Sequence, residues 1–249
     1  MIERPSLLSI AGFDPSGGAG ILADIKTFEN NRVYGLGICS ALTFQNDSEF
    51  IGLKWVPEED IKQQAEVLFR RFQPEWVKFG LIENLKVLHN LVFWLKERLP
   101  NTQIVWDPIL KASAGYSFHS DISLKEVQEI ASELLLITPN TNEMRQMLPE
   151  LTASEGAKYL SKYCHVLLKG GHSQGDTAND ILYKSNGTEV VFKSKKLNLD
   201  KHGTGCVLSS AILANLSKGY DLEEACKEGK EYITDFIKSH QGLLGYHYA

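Results

Sequence analysis

Short apolar runs alternate with longer segments of helical periodicity along this 249-residue chain. Strands are predicted at 7–11, 37–43, 76–79, 104–106, 134–138, 165–169, 181–183 and 189–192. Helices are predicted at 18–30, 58–72, 84–99, 152–163, and from 205 and 221 onward. Strands that are apolar throughout are typical of parallel sheets covered on both faces. The alternation therefore predicts an α/β fold with a mostly parallel, doubly wound sheet and helices on both faces, in one domain over residues 1–249.

Two local signals add detail to this prediction. Thr152 and Glu155 have the spacing of a capping box, which marks the start of a helix. Asn186-Gly187 separates the last two predicted strands, and this dipeptide favours a tight hairpin turn.

Glycine and polar residues follow the predicted strands. They are Gly12, Asp14, Gln45, Gly80, Asp107, Asn140, Lys169 and Gly170. In open α/β sheets, ligands bind beyond the carboxyl ends of the strands. A functional site is therefore expected at this edge of the sheet.

Composition excludes several classes of protein. The formal net charge is −5, which argues against a broad nucleic-acid surface. No apolar run approaches the roughly 18 residues that a membrane span needs, and no signal peptide is recognised. The four cysteines form no CxxC pair or zinc spacing, so we expect a reduced, cytoplasmic protein.

The segment His202-Gly203-Thr204-Gly205-Cys206 precedes a run of small apolar residues and predicts a glycine turn that opens a buried helix. Amide groups at such a turn lack intrahelical partners, and the helix dipole favours negative charge there. The segment is therefore a candidate site for phosphate or for charge that develops during a reaction. Cys206 is expected to have a lowered pKa and to act as a base or hydrogen-bond partner. The alternative for the segment is an ordinary glycine-started helix. The alternatives for Cys206 are a small buried hydrophobic side chain and a polar group that caps the helix.

A second glycine-rich segment, 12–20, follows the first predicted strand. It lacks both the Lys-Ser/Thr pair of a Walker A loop and the GxGxxG pattern. A nucleotide is therefore expected elsewhere, at 203–206. Asp24, in the helix that follows, either faces the same cleft or is a surface carboxylate.

Three further positions suit phosphate or metal chemistry. Asp107 lies where a carboxylate holds Mg²⁺ through bound water. Asn140 and Glu143 either add a second such contact or form a helix cap. Lys169 and Gly171 suit phosphate oxygens, although a lysine at a loop edge is the alternative.

Taken together, these segments resemble the ribokinase-like superfamily, and within it the hydroxymethylpyrimidine (phosphate) kinase branch of thiamine biosynthesis. The resemblance rests on AGFDPSGGAG (11–20), ADIKT (23–27), ALTFQN (41–46), KFGL (78–81), DPI (107–109), TPNTNE (138–143), KGGH (169–172) and HGTGC (202–206). It extends over nearly the whole chain. It implies a three-layer α/β/α fold, the cofactors ATP and Mg²⁺, and a homodimer. The implied reaction is phosphorylation of 4-amino-5-hydroxymethyl-2-methylpyrimidine and then of its monophosphate.

The resemblance also implies roles for individual residues. Asp24 and Gln45 would hydrogen-bond the pyrimidine, and Gly12 and Leu81 would line its pocket. The nucleotide and metal side of the site would comprise Asp107, Asn140, Glu143, Lys169, Gly171 and Gly205. Gly203, Thr204, Gly205 and Cys206 would form an anion hole, with Cys206 where sugar kinases of the superfamily carry an aspartate base.

The chain departs from the family pattern at Leu81, where the family usually has Met, and at Lys111, which stands in a usually uncharged stretch. The segment 113–123 is expected to form a flap over the site. Two other functions remain open: a pyridoxal kinase of the same fold, and a catalytically silent pyrimidine-binding sensor.

Overall fold

A computed structural model describes residues 4–110, 122–171 and 176–247. The strands of these residues form one nine-stranded sheet in the order β3-β2-β1-β4-β5-β6-β7-β8-β9. The strands are β1 (Ser6–Phe13), β2 (Tyr34–Gln45), β3 (Phe50–Trp55), β4 (Trp76–Phe79), β5 (Gln103–Trp106), β6 (Leu136–Ile137), β7 (His165–Leu168), β8 (Asp180–Tyr183) and β9 (Glu189–Phe192). The helices are α1 (Gly20–Asn30), α2 (Glu58–Phe69), α3 (Leu85–Arg98), α4 (Leu124–Ser132), α5 (Thr141–Met147), α6 (Ala153–Leu160), α7 (Thr204–Ser217) and α8 (Leu222–Lys238).

Six neighbouring strands, from β2 through β1, β4, β5 and β6 to β7, run parallel. β3 pairs antiparallel with β2 at one edge, and β8 and β9 continue antiparallel at the other. The predicted α/β fold with a mostly parallel central sheet is therefore confirmed. The parallel arrangement brings the carboxyl ends of these six strands together. This line of strand ends, the carboxyl edge of the sheet, is distinct from the two outer strands, β3 and β9.

Each face of the sheet carries its own apolar core. Leu7 and Leu8 are neighbours in β1, yet they belong to different cores because successive side chains of a strand point to opposite faces. Leu8 packs in the core that includes residues of α2 to α6, and Leu7 packs in the core of α1, α7 and α8. Helices therefore cover both faces, as predicted.

Helix α7 is buried along almost its whole length, from Cys206 to Leu216. It packs against α1 and α8 and contacts β4. Such a helix needs small and apolar residues on every side, which accounts for the composition of the run after Cys206.

Several local predictions are confirmed and others need correction. The Thr152–Glu155 capping box is present, and Gly187 has a φ of 85° in the hairpin between β8 and β9. The first helix begins at Gly20, later than the predicted 18, because Gly17 and Gly20 both have positive φ. The sequence did not predict β3 or α4. β3 is an edge strand without fully buried residues, and α4 is a nine-residue helix capped by Ser123.

Within the described residues, no helix combines the length and apolar character that crossing a bilayer requires.

Candidate active site

Several predicted site residues lie together at the carboxyl ends of the parallel strands. Gly12 lies in β1, Asp107 directly follows β5, and Lys169 directly follows β7. Asn140 and Lys169 form a parallel β-bridge, so the segments that leave β6 and β7 run side by side. The amino end of α7 reaches the same place, because a methyl group on Gly205 would lie 3.2 Å from Lys169 Nζ.

Gly203 caps α7 in a left-handed conformation, with φ 76° and ψ 16°. A Cβ at this position would lie 1.9 Å from the Gly18 carbonyl oxygen, so only glycine fits. No side chain caps the helix among the described residues. The first amides of α7 are thus presented at the edge of the sheet, where they suit an anion.

Lys169 forms the centre of a buried charge cluster. Its Nζ lies 2.7 Å from Asp107 Oδ1 and 3.8 Å from Glu143 Oε2. The hydroxyl of Thr138 donates to Asp107 Oδ1 at 3.0 Å, and that of Ser209 lies 3.2 Å from Oδ2. The geometry places one ammonium group between two carboxylates beside the first turn of α7.

The pKa values of the cluster follow from burial and charge. Burial would lower the pKa of Lys169, but Asp107 and Glu143 outweigh it and raise that pKa above its usual range. Burial would raise the pKa of Asp107, but Lys169 and Lys78 outweigh it and lower that pKa. Burial raises the pKa of Glu143 to about 7; Lys169 opposes this shift and Asp107 adds to it. Lys169 and Asp107 are therefore charged at neutral pH, whereas Glu143 is partly protonated.

Asn140 and Glu143 also form the capping box that opens α5. The Asn140 side chain accepts from the amides of Asn142 and Glu143, and Glu143 Oε2 accepts from the Asn140 amide at 2.7 Å. The cap and the contact with Lys169 coexist, because the same carboxylate takes part in both. The helix cap is therefore confirmed, and the contact with Mg²⁺ stays a prediction.

Cys206 requires a correction. Its side chain is buried, and burial raises the pKa of the thiol to about 12, despite an opposing effect of Lys78. The expected lowering by the helix dipole is outweighed by the loss of solvation. The raised pKa keeps the thiol protonated at neutral pH, so the predicted lowering of its pKa is wrong.

Asp24 also differs from both sequence-based alternatives. It is fully buried, and its carboxylate contacts Lys78 Nζ at 2.5 Å and accepts from the hydroxyls of Ser9 and Ser210. Both carboxylate oxygens already accept hydrogen bonds inside the protein, so the predicted hydrogen bond from the pyrimidine to this carboxylate does not fit its surroundings. Sequence reasoning missed Lys78 itself, although a lysine inside the apolar strand WVKF was the available signal.

Gly12 and Leu81 lie together beside β2. A Cβ on Gly12 would lie 3.0 Å from Leu81 Cδ2 and 3.7 Å from Thr43 Cγ2, so the absence of a side chain at Gly12 permits this close approach. The Leu81 carbonyl accepts from the Ser40 hydroxyl at 2.5 Å, which fixes the segment after β4. Gln45 ends β2, is half-buried and pairs with Phe50 of β3.

A histidine–carboxylate pair joins the two glycine-rich segments. His202 Nε2 lies 2.8 Å from Asp14 Oδ2, and the same oxygen accepts from the Ala19 amide. Burial would raise the pKa of Asp14, but hydrogen bonds from His202 and Ser16 outweigh it and lower that pKa. The two residues are separated by 188 positions in the sequence, so this contact could not be predicted from the sequence.

Gly171 is exposed at the end of the described segment. Lys111, His172 and residues 113–121 of the predicted flap lie outside the described residues.

Comparisons with known proteins identify the family. The family model described as phosphomethylpyrimidine kinase matches residues 14–248. The chain is 36% identical over 248 residues to a hydroxymethylpyrimidine/phosphomethylpyrimidine kinase of Aquifex aeolicus (strain VF5), covering 95% of each chain. The chain belongs to the phosphomethylpyrimidine kinase family. The resemblance inferred from the sequence motifs is thereby confirmed, and the chain is an ATP-dependent kinase.

Solved structures agree with this assignment. The fold is similar to a phosphomethylpyrimidine kinase from Clostridium difficile 630, with 29% identity, a TM-score of 0.78 and coverage of 93% of this chain and 99% of that one. It is also similar to an ADP complex of Bacillus subtilis pyridoxal kinase, with 27% identity, a TM-score of 0.81 and coverage of 95% and 92%.

The left-handed cap at Gly203 predicts a steep loss of activity in Gly203→Ala. The new methyl group collides with the Gly18 carbonyl and shifts the first turn of α7, so kcat is expected to fall by about a hundredfold. Gly187→Ala is the matched control, because Gly187 also has positive φ but has open space around its Cβ position. Steady-state kinetics and thermal unfolding of both variants test this. Equal kcat values in the two variants would contradict it.

The raised pKa of Glu143 predicts a pH dependence. The carboxylate is protonated below about pH 7 and ionised above it. The apparent KM for Mg²⁺ is therefore expected to fall as pH rises from about 6 to 8, because the ionised form attracts the cation. Glu143→Gln should abolish this change, and initial rates in a magnesium titration measure it. The same pH dependence in wild type and variant would refute the role of Glu143.

Proposed function

We propose that this kinase transfers the γ-phosphoryl group of ATP to 4-amino-5-hydroxymethyl-2-methylpyrimidine, and then to the monophosphate, in thiamine biosynthesis. The observation that carries this proposal is the position of the α7 amino end. It lies against the Lys169–Asp107 pair, at the carboxyl ends of the parallel strands, where Gly12 and Leu81 also lie. Membership of the family supports the choice of substrate.

In the first transfer, the hydroxymethyl oxygen forms a bond to the γ-phosphorus while the bond from phosphorus to the β,γ-bridging oxygen breaks. ADP leaves and the hydroxyl proton is released to solvent or phosphate. In the second transfer, a phosphate oxygen of the monophosphate is the nucleophile, so no hydroxyl proton is lost. Such transfers depend mainly on alignment and charge neutralisation, which agrees with a neutral Cys206 thiol.

The amides of Gly203, Thr204, Gly205 and Cys206 would bind the phosphoryl group as it moves. Lys169 would neutralise oxygens of the ATP phosphates from the opposite side. Asn140, Gly171 and Gly205 would line the nucleotide side of the cleft. The buried setting of Lys169 increases the effect of its charge on a bound phosphate.

Glu143 and Asp107 would hold Mg²⁺ through bound water. The described residues contain no group of three or more His, Cys, Asp or Glu side chains arranged to hold a metal. This fits Mg²⁺, which commonly binds through one or two carboxylates, substrate phosphates and water. The ion would neutralise phosphate charge, while Lys169 keeps Asp107 ionised.

The pyrimidine would lie against Gly12 and Leu81, with the Gln45 amide beside the ring. An amide supplies both a donor and an acceptor, which matches the amino group and ring nitrogen of an aminopyrimidine. A pyridoxal ring is the second candidate, because the fold also matches a pyridoxal kinase at 27% identity.

A coupled assay of ADP formation, with hydroxymethylpyrimidine, its monophosphate and pyridoxal as substrates, tests the proposal. We expect turnover on both pyrimidines and an increase of about tenfold in their KM in Gln45→Ala, from the lost hydrogen bonds. Gln103→Ala is a matched control at the opposite edge of the sheet and should leave KM unchanged. Turnover on pyridoxal alone would favour the second candidate. No turnover on any of the three would favour the silent sensor.

We propose a homodimer, because apolar side chains are exposed near the carboxyl ends of β1 and β2. Phe13 and Leu42 are register partners, and they are 37% and 46% exposed. Phe44 lies on the same face of β2 and is 46% exposed. A second copy of the chain would cover these side chains near Gln45.

Light scattering after size-exclusion chromatography tests this proposal. A dimer has about twice the chain mass of 27.9 kDa. Leu42→Glu/Phe44→Glu should convert it to a monomer, because two buried charges oppose association. A wild-type monomer would refute the proposal.

A further inference from the structure

A second buried ion pair lies beneath the α7 amino end. Lys78 of β4 and Asp24 of α1 are both fully buried, with Nζ and Oδ1 2.5 Å apart. The hydroxyls of Ser9 and Ser210 donate to the same carboxylate at 2.6 and 2.8 Å. The pair is thus neutralised and hydrogen-bonded, although it has no access to solvent.

Lys78 also reaches α7 itself. Its Nζ lies 3.2 Å from the Cys206 carbonyl oxygen and 3.2 Å from Ser210 Oγ. Cys206 is the third residue of α7, so this lysine anchors the first turn of the helix to β4.

The same carbonyl connects the pair to the charge cluster at the edge of the sheet. Ser209 Oγ lies 3.1 Å from the Cys206 carbonyl and 3.2 Å from Asp107 Oδ2. Asp107 in turn binds Lys169 at 2.7 Å. The Lys78–Asp24 pair therefore contacts the Cys206 carbonyl directly, and the Lys169–Asp107 pair is connected to it through the Ser209 hydroxyl.

A gain in the free energy of folding does not explain why the Lys78–Asp24 pair is present. Desolvation of two charges costs about as much as their attraction returns, and apolar replacements of such pairs are often neutral. A directional contact, in contrast, needs the ammonium group, because Cys206 offers a carbonyl oxygen at a fixed position.

We infer that Lys78, neutralised by Asp24, is a positioning residue that fixes the first turn of α7 and with it the amides of residues 203–206. The inference rests on the proposed function of these amides as the phosphoryl-binding group. Lys78 acts through the backbone and touches no substrate. Removal of its ammonium group lets the first turn shift, and the amides then lose their alignment with the transferred group.

The deciding variant is Lys78→Met/Asp24→Asn. Lys78→Met alone leaves an uncompensated buried carboxylate and is expected to fold poorly. The double variant removes both charges, while the amide at position 24 still hydrogen-bonds both hydroxyls, because its oxygen accepts from one serine and its NH2 group donates to the other. We expect it to fold, with kcat lower by about tenfold or more. The KM for the pyrimidine should change by less than about twofold, because the ring lies elsewhere.

Leu91→Ala is the control for general destabilisation. Leu91 is buried in α3, in the core that does not contain α7. Leu91→Ala should lower the melting temperature. Its kcat should equal that of the wild type when both proteins are assayed well below their melting temperatures.

A spectroscopic measurement separates this inference from the proposed function. In protein labelled with ¹⁵N-glycine, the amide resonances of Gly203 and Gly205 should move in the double variant but stay in place in Leu91→Ala. Unmoved resonances, or a wild-type kcat in the double variant, would overturn the inference. If wild-type protein phosphorylates neither pyrimidine, the proposed substrate is wrong, and the glycine resonances alone decide the role of Lys78.

Discussion

The first turn of α7 depends on one close approach, in which Gly203 packs against the carbonyl oxygen of Gly18. This contact joins the loop after β1 to the amino end of the most buried helix in the described chain. The His202–Asp14 pair joins the same two segments through side chains. The glycine-rich segments at 12–20 and 202–206 are therefore one structural unit. The first segment supports the second, although it has neither of the common nucleotide-binding patterns.

Burial of this unit determines its electrostatics. Asp24, Lys78, Asp107 and Lys169 are charges of alternating sign, and each lies where an isolated charge would be costly. The Lys78–Asp24 and Lys169–Asp107 pairs each neutralise their own two charges. The first backbone amides of α7 have no side-chain cap within the described part of the chain and can therefore donate to a ligand. Glu143 is the most adjustable group of the cluster, because burial raises its pKa to about 7. A cation at the site would favour its ionised form.

Much of the architecture could be predicted from the sequence, because apolar runs and helical periodicity report burial directly. The Thr152–Glu155 cap and the Asn186-Gly187 turn were also predictable, since both depend on neighbouring residues. β3 escaped prediction because an edge strand with half-exposed residues shows little of the buried pattern. The start of α1 was misplaced because positive φ at Gly17 and Gly20 depends on tertiary packing.

The site was only partly predictable for the same reason. Strand ends located Asp107, Asn140 and Lys169 correctly on one edge, because parallel topology collects them there. The lowered pKa predicted for Cys206 and the cleft or surface position predicted for Asp24 were wrong, since sequence shows a helix start but not how deeply a side chain is buried. The partners of Asp14 and Asp24 are distant in sequence, and only the fold brings them together.

The most direct test of this account is a crystal structure with Mg²⁺, a non-hydrolysable ATP analogue and hydroxymethylpyrimidine. The account predicts the γ-phosphate within hydrogen-bonding distance of the amides of residues 203–206, with Lys169 on its other side. It places the ring against Gly12 and Leu81 and the hydroxymethyl group directed at the γ-phosphorus. A γ-phosphate held by residues 12–20, or a ring far from Gly12, would contradict the account.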